Sequence, residues 1–357
     1  MMDFKEFVNE IAEKIKDFLP DSLKDALVDV REVTKNNGVK FTGLTIHNND
    51  SKVYPTIYLE QFYKEYADNG IDLNTIMQKI VKVRVEHDVT KKLDVEKFRD
   101  FDYVRDRITC KLVNREHNSE FLETRPYTPI EDLAVVYLVD IEDFGAGRAS
   151  TAITYRMMEE YGISVEELHS IAMDNLARSD ISFMSMCDVL KKLNPAMFEV
   201  SGDEIERNMA SEPMYVLTVN DCPFGAVAVL DDAAMKDIAE RIGGDFYVIP
   251  SSVNEVIIVP KDTDKEMKSS MINAMIQEVN ETEVEKQDRL SDHVYIYDSA
   301  THELLTDKHY DERHAKHDIV SEITSIKDKL AEKNNEVAKR EATREASGKV
   351  KDAPVLA

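Results

Sequence analysis

Two apolar runs, Phe246–Ile249 and Val256–Val259, are separated by only six residues, Pro250–Glu255. A parallel crossover needs about a dozen residues or more, so this link predicts an antiparallel pair. Both runs are too continuously apolar to be solvated on either face, which places them inside a sheet. Upstream, Tyr215–Val219 and Gly225–Leu230 flank Asn220-Asp221, a pair that tolerates a tight turn, and read as two further strands. Asp231 or Asp232 caps a helix with the apolar stripe Ala234, Ile238 and Ile242, and Gly243-Gly244 supplies its left-handed stop. The stretch predicts a β-β-α-β-β unit. The fold class is α+β, with a mostly antiparallel sheet and flanking helices in the second half.

The first half reads as helices and a hairpin. Phe4, Phe7, Ile11, Ile15 and Phe18 share one helical face, ended by Pro20. Alternating runs on either side of Asn36-Asn37-Gly38 predict a hairpin. Tyr58, Phe62 and Tyr66 stack at spacing 4 in a helix closed by Asn69-Gly70, and Leu73, Ile76, Ile80 and Val83 continue a helical stripe. A further charged helix is expected through Leu93 and Phe98, then strands at Ile108–Val113 and Leu133–Glu142. Beyond these, Ser164-x-x-Glu167 is a capping box. Phe183, Met186, Val189, Leu190 and Leu193 suggest a helix, as do Met267, Met271 and Met275, and Val294 and Ile296 open a last hairpin. From Asp311 the composition shifts. Ile319, Ile323, Ile326 and Leu330 form a seam too short for a coiled coil, and the rest reads as a helix fraying into a disordered tail. The expected organisation is an N-terminal helix and hairpin region at 1–145, an α+β domain at 146–310 and a tail at 311–357.

Charge narrows the function. The net charge is −25, which argues against nucleic acid, since phosphate binding needs clustered Lys and Arg. The tail from Asp311 holds ten basic and ten acidic residues, so the body carries the whole excess. Such a surface keeps a protein soluble and suits a basic protein partner. No apolar run approaches the roughly 20 residues that span a bilayer, and acids occupy the start of the chain where a signal peptide would be basic, so the expected location is cytoplasmic. Cys110, Cys187 and Cys222 are widely spaced beside apolar residues and read as reduced and packed, with no metal spacing.

The most polar bend in this core, Ser251, Ser252, Asn254 and Glu255, is the candidate binding site. As a nucleophile, Ser251 or Ser252 would need a base, which Asn254 cannot be and His293 or Glu255 could be, though no sequence argument places either within reach; the simpler reading is that these groups satisfy the turn. His302, His309, His314 and His317 cluster with acids near the tail, but a metal site needs a rigid frame, and a solvated charged segment is the reading adopted. Gly145-Ala146-Gly147 after a strand lacks the third glycine and the lysine of a phosphate loop and follows Asp140, Glu142 and Asp143; it reads as a link. Arg125 is expected to pair with the acids Glu123, Glu131 or Asp132. No cofactor is implied.

The segments VTKNNGVKFTGLTI (Val33–Ile46) and PTIYLEQFYKEY (Pro55–Tyr66), followed by Tyr215–Pro260, resemble the uncharacterised bacterial proteins of domain-of-unknown-function family 5688. The second half, with GISVEELHSIAMDN, FGAVAVL and GGDFYVIPSS, is also similar to the uncharacterised YtpQ-like proteins, where the loop tends to read Ser-Ser-x-His-Glu and Asn254 here takes the His place. The resemblance covers residues 1 to about 310 and implies a shared fold, with no activity or catalytic residue attached. The reading is an acidic binding or interaction protein without catalytic chemistry. The alternative is a small-molecule-binding or hydrolytic enzyme using the Ser251–Glu255 loop.

Overall fold

The computed structural model describes residues 2–47, 54–87, 94–141, 149–196, 213–220, 222–250, 252–261 and 268–316, with single positions at 198, 202, 206, 209 and 327. The chain divides into two compact units, Met1–Leu304 and Leu305–Ala357.

Helix α1 (Phe4–Lys14) opens on a capping box in which Asp3 and Glu6 each accept the other's backbone N–H, at 2.8 and 3.0 Å. Phe7, Ile11 and Ile15 are fully buried, and the chain tightens to a 3₁₀ turn over Ile15–Phe18 before Pro20. Strands β1 (Leu27–Thr34) and β2 (Lys40–His47) form the expected hairpin, with Val30 opposite Leu44 and Val33 opposite Phe41. β3 (Thr56–Tyr58) then fills the other edge of β2, so Tyr58 lies in a strand and helix α2 (Glu60–Ala67) starts after it. Thr56 and Ile57 are β-branched and suit that edge better than a helix. With α3 (Leu73–Glu86), these elements enclose a first core of Phe7, Ile11, Leu44, Ile46, Phe62 and Ile80. Residues 88–93 of the expected charged helix lie outside the described residues, and Val95–Arg99 is a 3₁₀ turn.

A second core spans residues 104 to 297. After the short helix α4 (Phe101–Arg105) come β4 (Ile108–Asn114), the single turn α5 (Ser119–Leu122), β5 (Tyr127–Ile130), β6 (Leu133–Ile141) and β7 (Ala149–Ala152). β6 is the hub and pairs antiparallel with β4, β5 and β7. Every residue from Leu133 to Val139 is buried, as its unbroken apolar run requires. The Gly-x-Gly stretch lies in residues 142–148, outside the described residues; the strands that precede and follow it, β6 and β7, pair with each other. Helix α6 (Tyr155–Tyr161) stops at Gly162, whose φ of 68° suits glycine, and α7 (Val165–Leu176) begins at the expected Ser164–Glu167 capping box.

The second sheet runs β12-β10-β11-β9-β8, antiparallel throughout: β8 (Ile181–Ser185), β9 (Tyr215–Val219), β10 (Phe246–Ile249), β11 (Val256–Pro260) and β12 (Tyr295–Asp298). The central strands therefore share one antiparallel sheet, as the short link after Ile249 demands. Two local expectations change. Phe183 belongs to β8, paired with Leu217, and helix α8 (Met186–Leu193) begins only after Ser185 caps it. Gly225–Leu230 is a buried 3₁₀ segment instead of a strand, which turns the expected unit into β-3₁₀-α-β-β. The reason lies in β9, whose two edges are already taken by β8 and β11, so no hairpin partner can add there. The apolar run folds over the sheet instead. At Gly225 a Cβ would come within 3 Å of Thr218 Oγ1, the Asn254 carbonyl and the Val219 nitrogen. Helix α9 (Asp232–Ile242) then starts at Asp231, which accepts from Ala234 N–H at 2.7 Å, and α10 (Ser269–Thr282) follows β11.

β13 (Glu303–Thr306) crosses the boundary between the units. In the second unit residues 307–316 are helical, with the Tyr310 ring 4.1 Å from that of His314. The Ile319–Leu330 seam lies outside the described residues apart from Lys327. Among the described residues no helix is long and apolar enough to cross a membrane.

Gly225→Ala should lower unfolding free energy by about 2–3 kcal/mol in urea titration, because the clash is with backbone that cannot retreat. Gly244→Ala, with nothing within 4 Å of its Cβ position, is the matched control and should stay within about 0.5 kcal/mol.

Candidate functional site

The tip of the β1-β2 hairpin reaches a distant part of the chain. Asn37 sits in the left-handed region at φ 58° and Gly38 follows at 67°, which turns the Asn37 side chain away from its own strands. Its amide donates to the carbonyls of Lys286 and Arg289, both at 2.8 Å. Its backbone N–H donates to Asn118 Oδ1, and Asn118 Nδ2 returns a bond to Asn37 Oδ1, each at 2.9 Å. Asn36 Nδ2 adds a bond to the Gln287 carbonyl at 2.8 Å. The asparagines that sequence reads as a turn are thus also a clasp.

Behind the clasp lies a cavity of about 480 Å³. The hairpin and its neighbours supply Lys35, Asn36, Phe41, Tyr58 and Glu60; the second core supplies Lys111, Phe224, Val253 and Asp288. Lys111 comes from the middle of β4, on the face of Val113 and away from the Cys110 and Leu112 side. Its ammonium lies 5.2 Å from the Phe121 ring centre and 5.3 Å from that of Phe224, and no ion pair holds it among the described residues. Lys35 lies over the Tyr58 ring at 4.4 Å. Burial, reinforced by the charges of Arg125 and Lys35, brings the Lys111 pKa down to about 8. Burial and then the nearby Glu285 and Glu255 push the Asp288 carboxyl up. Two buried acceptors of the lining, Asn36 Oδ1 and Glu60 Oε2, have no hydrogen-bond partner, while Glu60 Oε1 accepts from Thr42 N–H at 2.5 Å. The arrangement offers two cations and aromatic faces to one small guest, with Glu60 and Asp288 in the same lining.

The loop singled out by sequence borders this cavity through a different residue. Ser251 lies outside the described residues. The Ser252 hydroxyl donates to Glu255 Oε1 at 2.9 Å and accepts from Asn254 N–H at 3.0 Å. Asn254 is exposed, and its carbonyl accepts from Thr218 Oγ1 at 2.8 Å. The described polar groups thus close the turn, and Val253 is the member of the loop that lines the cavity.

Other candidates fall elsewhere. Arg125 makes no ion pair with Glu123, Glu131 or Asp132 among the described residues; it donates to the Phe121 carbonyl and Thr124 Oγ1 and stacks on Phe121 at 4.0 Å. Asp132 is engaged by the hydroxyls of Ser291 and Tyr295 instead, at 2.9 and 2.5 Å. His317 is outside the described residues, and among those described no group of His, Cys, Asp and Glu could hold a metal. Cys110, Cys187 and Cys222 form no disulfide, and burial pushes the Cys110 thiol up to about 12. A second cavity of about 320 Å³ carries Asp106, Asp140 and Asp180 and shares Phe224 with the first.

Sequence reasoning missed Lys111, Lys35, Asn36 and Glu60. A signal existed for one of them: Lys111 is the single charge in the strand ITCKLV, where a side chain facing solvent or a cavity is the only tolerable arrangement.

Residues 4–299 match the family of unknown function DUF5688. No curated protein and no solved structure matches the chain, so the likeness of the second half to the YtpQ-like proteins stands as a sequence resemblance.

The lowered Lys111 pKa carries a sign. Below about pH 8 the native state bears the full cost of the buried charge, and between about 8 and the ordinary 10.5 the unfolded chain binds more protons, so this contribution to stability rises with pH. Lys111→Met should therefore raise the melting temperature at pH 7, by an equivalent of about 2 kcal/mol, with the gain shrinking as pH passes 8. A loss of stability at pH 7 in calorimetry would contradict this.

Proposed function

The chain belongs to the DUF5688 family, and we propose that it is a binding protein whose cavity between the hairpin clasp and β4 takes a small anionic metabolite. The observation behind this reading is Lys111: a mostly buried cation with aromatic neighbours and no carboxylate partner. An unpaired buried charge destabilises the native state unless something compensates it, and proteins keep such groups where they serve a ligand. An anionic group on the guest meets Lys111 and Lys35. The guest's apolar part lies on Phe41, Tyr58 or Phe224.

The body's net charge of −25 does not carry into the cavity, whose lining sets Lys35 and Lys111 against Glu60 and Asp288. The hydrolytic alternative has less support, since the Ser252 hydroxyl also accepts from Asn254 N–H within the turn, and Val253 is the member of the loop that lines the cavity.

Thermal denaturation of the full chain against millimolar amino acids, hydroxy acids, 2-oxo acids and nucleotides tests the reading. At least one anion should raise the melting temperature, by about 2.7 kcal/mol of stabilisation at 100 times its Kd. Lys111→Met and Lys35→Met should abolish the response. A panel with no response, or a response that both variants keep, would refute the assignment.

A further inference from the structure

Lys111 differs from an ordinary anion-binding lysine in what surrounds its nitrogen. It lies over the rings of both Phe121 and Phe224. The nearby charges that act on it, Arg125 and Lys35, have the same sign as its own ammonium. Glu60 and Asp288 share the cavity, but neither forms an ion pair with Lys111. A lysine in a desolvated pocket beside other cations is the arrangement that turns an ammonium into a nucleophilic amine.

We propose that Lys111 captures its guest covalently, its side-chain amine condensing with the carbonyl carbon of a small anionic carbonyl compound, a 2-oxo acid, held in this cavity. The inference rests on the small-molecule reading of the same cavity and adds a bond to it. In the first step the Nζ lone pair attacks the carbonyl carbon; a C–N bond forms, the carbonyl π pair moves to oxygen, and a proton passes from nitrogen to that oxygen to give a carbinolamine. In the second the C–O bond breaks, the second N–H proton leaves with the oxygen as water, and a C=N bond remains. No oxidant, reductant or external acid is consumed. The aromatic walls favour the dehydrated product, because water is the species expelled. Lys35 supplies the counter-charge for the carboxylate from the hairpin side of the cavity.

The test uses the full chain with glyoxylate or pyruvate and cyanoborohydride, which reduces an imine to a stable secondary amine, read by intact mass and peptide mapping. The expected result is one dominant adduct on Lys111, formed at least tenfold faster than on any other lysine, saturable in the 2-oxo acid and absent from Lys111→Arg, which keeps the charge and cannot condense. Neutral acetaldehyde should show no such preference, since it lacks the carboxylate that Lys35 recognises. Labelling spread over surface lysines, with Lys111 not favoured, would overturn the proposal. Melting-temperature shifts with lactate, which has no carbonyl to condense, separate the two ideas. A lactate shift without a Lys111 adduct overturns covalent capture and leaves the binding reading standing; neither shift nor adduct overturns both.

Discussion

Everything around the cavity depends on five hydrogen bonds made by two adjacent asparagines. Asn36 and Asn37 bind the carbonyls of Lys286, Gln287 and Arg289 and exchange two bonds with Asn118. Backbone carbonyls are fixed acceptors, so the tip is located by geometry as well as by energy. Each bond contributes on the order of 1 kcal/mol net, enough together to hold a hairpin whose own two strands would be marginal in isolation. The left-handed φ of Asn37 makes the clasp possible, since it swings a short amide across to another part of the chain; asparagine tolerates that conformation better than other side-chain-bearing residues. With the tip seated, Lys35 and Asn36 become cavity wall.

Closing the cavity traps charge. Lys111 would be harmless on an open sheet face, but Phe224, at the start of the 3₁₀ segment, and Phe121 on α5 remove its water. Cation–π attraction of about 0.5–1 kcal/mol per ring offsets only part of that desolvation. The 3₁₀ segment in turn sits where it does because Gly225 lets backbone approach Thr218 and Asn254. The Ser252–Glu255 turn holds the Asn254 carbonyl at that contact and directs Val253 inward. The polar loop thus shapes the cavity from behind while a strand lysine faces into it.

How far the sequence foretold this follows from the range of each interaction. The β1-β2 hairpin, the capping box at Ser164 and the αL stop at Gly243 were legible because their determinants lie within a few residues. The antiparallel β10-β11 pair was legible from its short link. Gly225–Leu230 has the composition of a strand, and only the occupancy of both β9 edges, decided by residues 181–185 and 256–258, makes it 3₁₀. Tyr58 and Phe183 kept helical spacing with their successors, yet free sheet edges at Gly43–Thr45 and Tyr215–Val219 claimed them. The cavity was invisible for the same reason on a larger scale. Lys35 and Lys111 are 76 positions apart, and their meeting depends on a clasp to residues 286–289 that no local pattern announces.

The claim at the centre of this account is that Lys111 is a desolvated cation without a carboxylate partner. Its titration measures that directly: the full chain labelled with ¹³C at lysine Cε, followed by NMR across pH 6 to 12, with the resonance assigned by its loss in Lys111→Arg. The account predicts one lysine with a midpoint near 8, as burial and its two cationic neighbours require. A Lys111 midpoint at or above the ordinary 10.5 would mean that the ammonium is solvated or paired, and would contradict it.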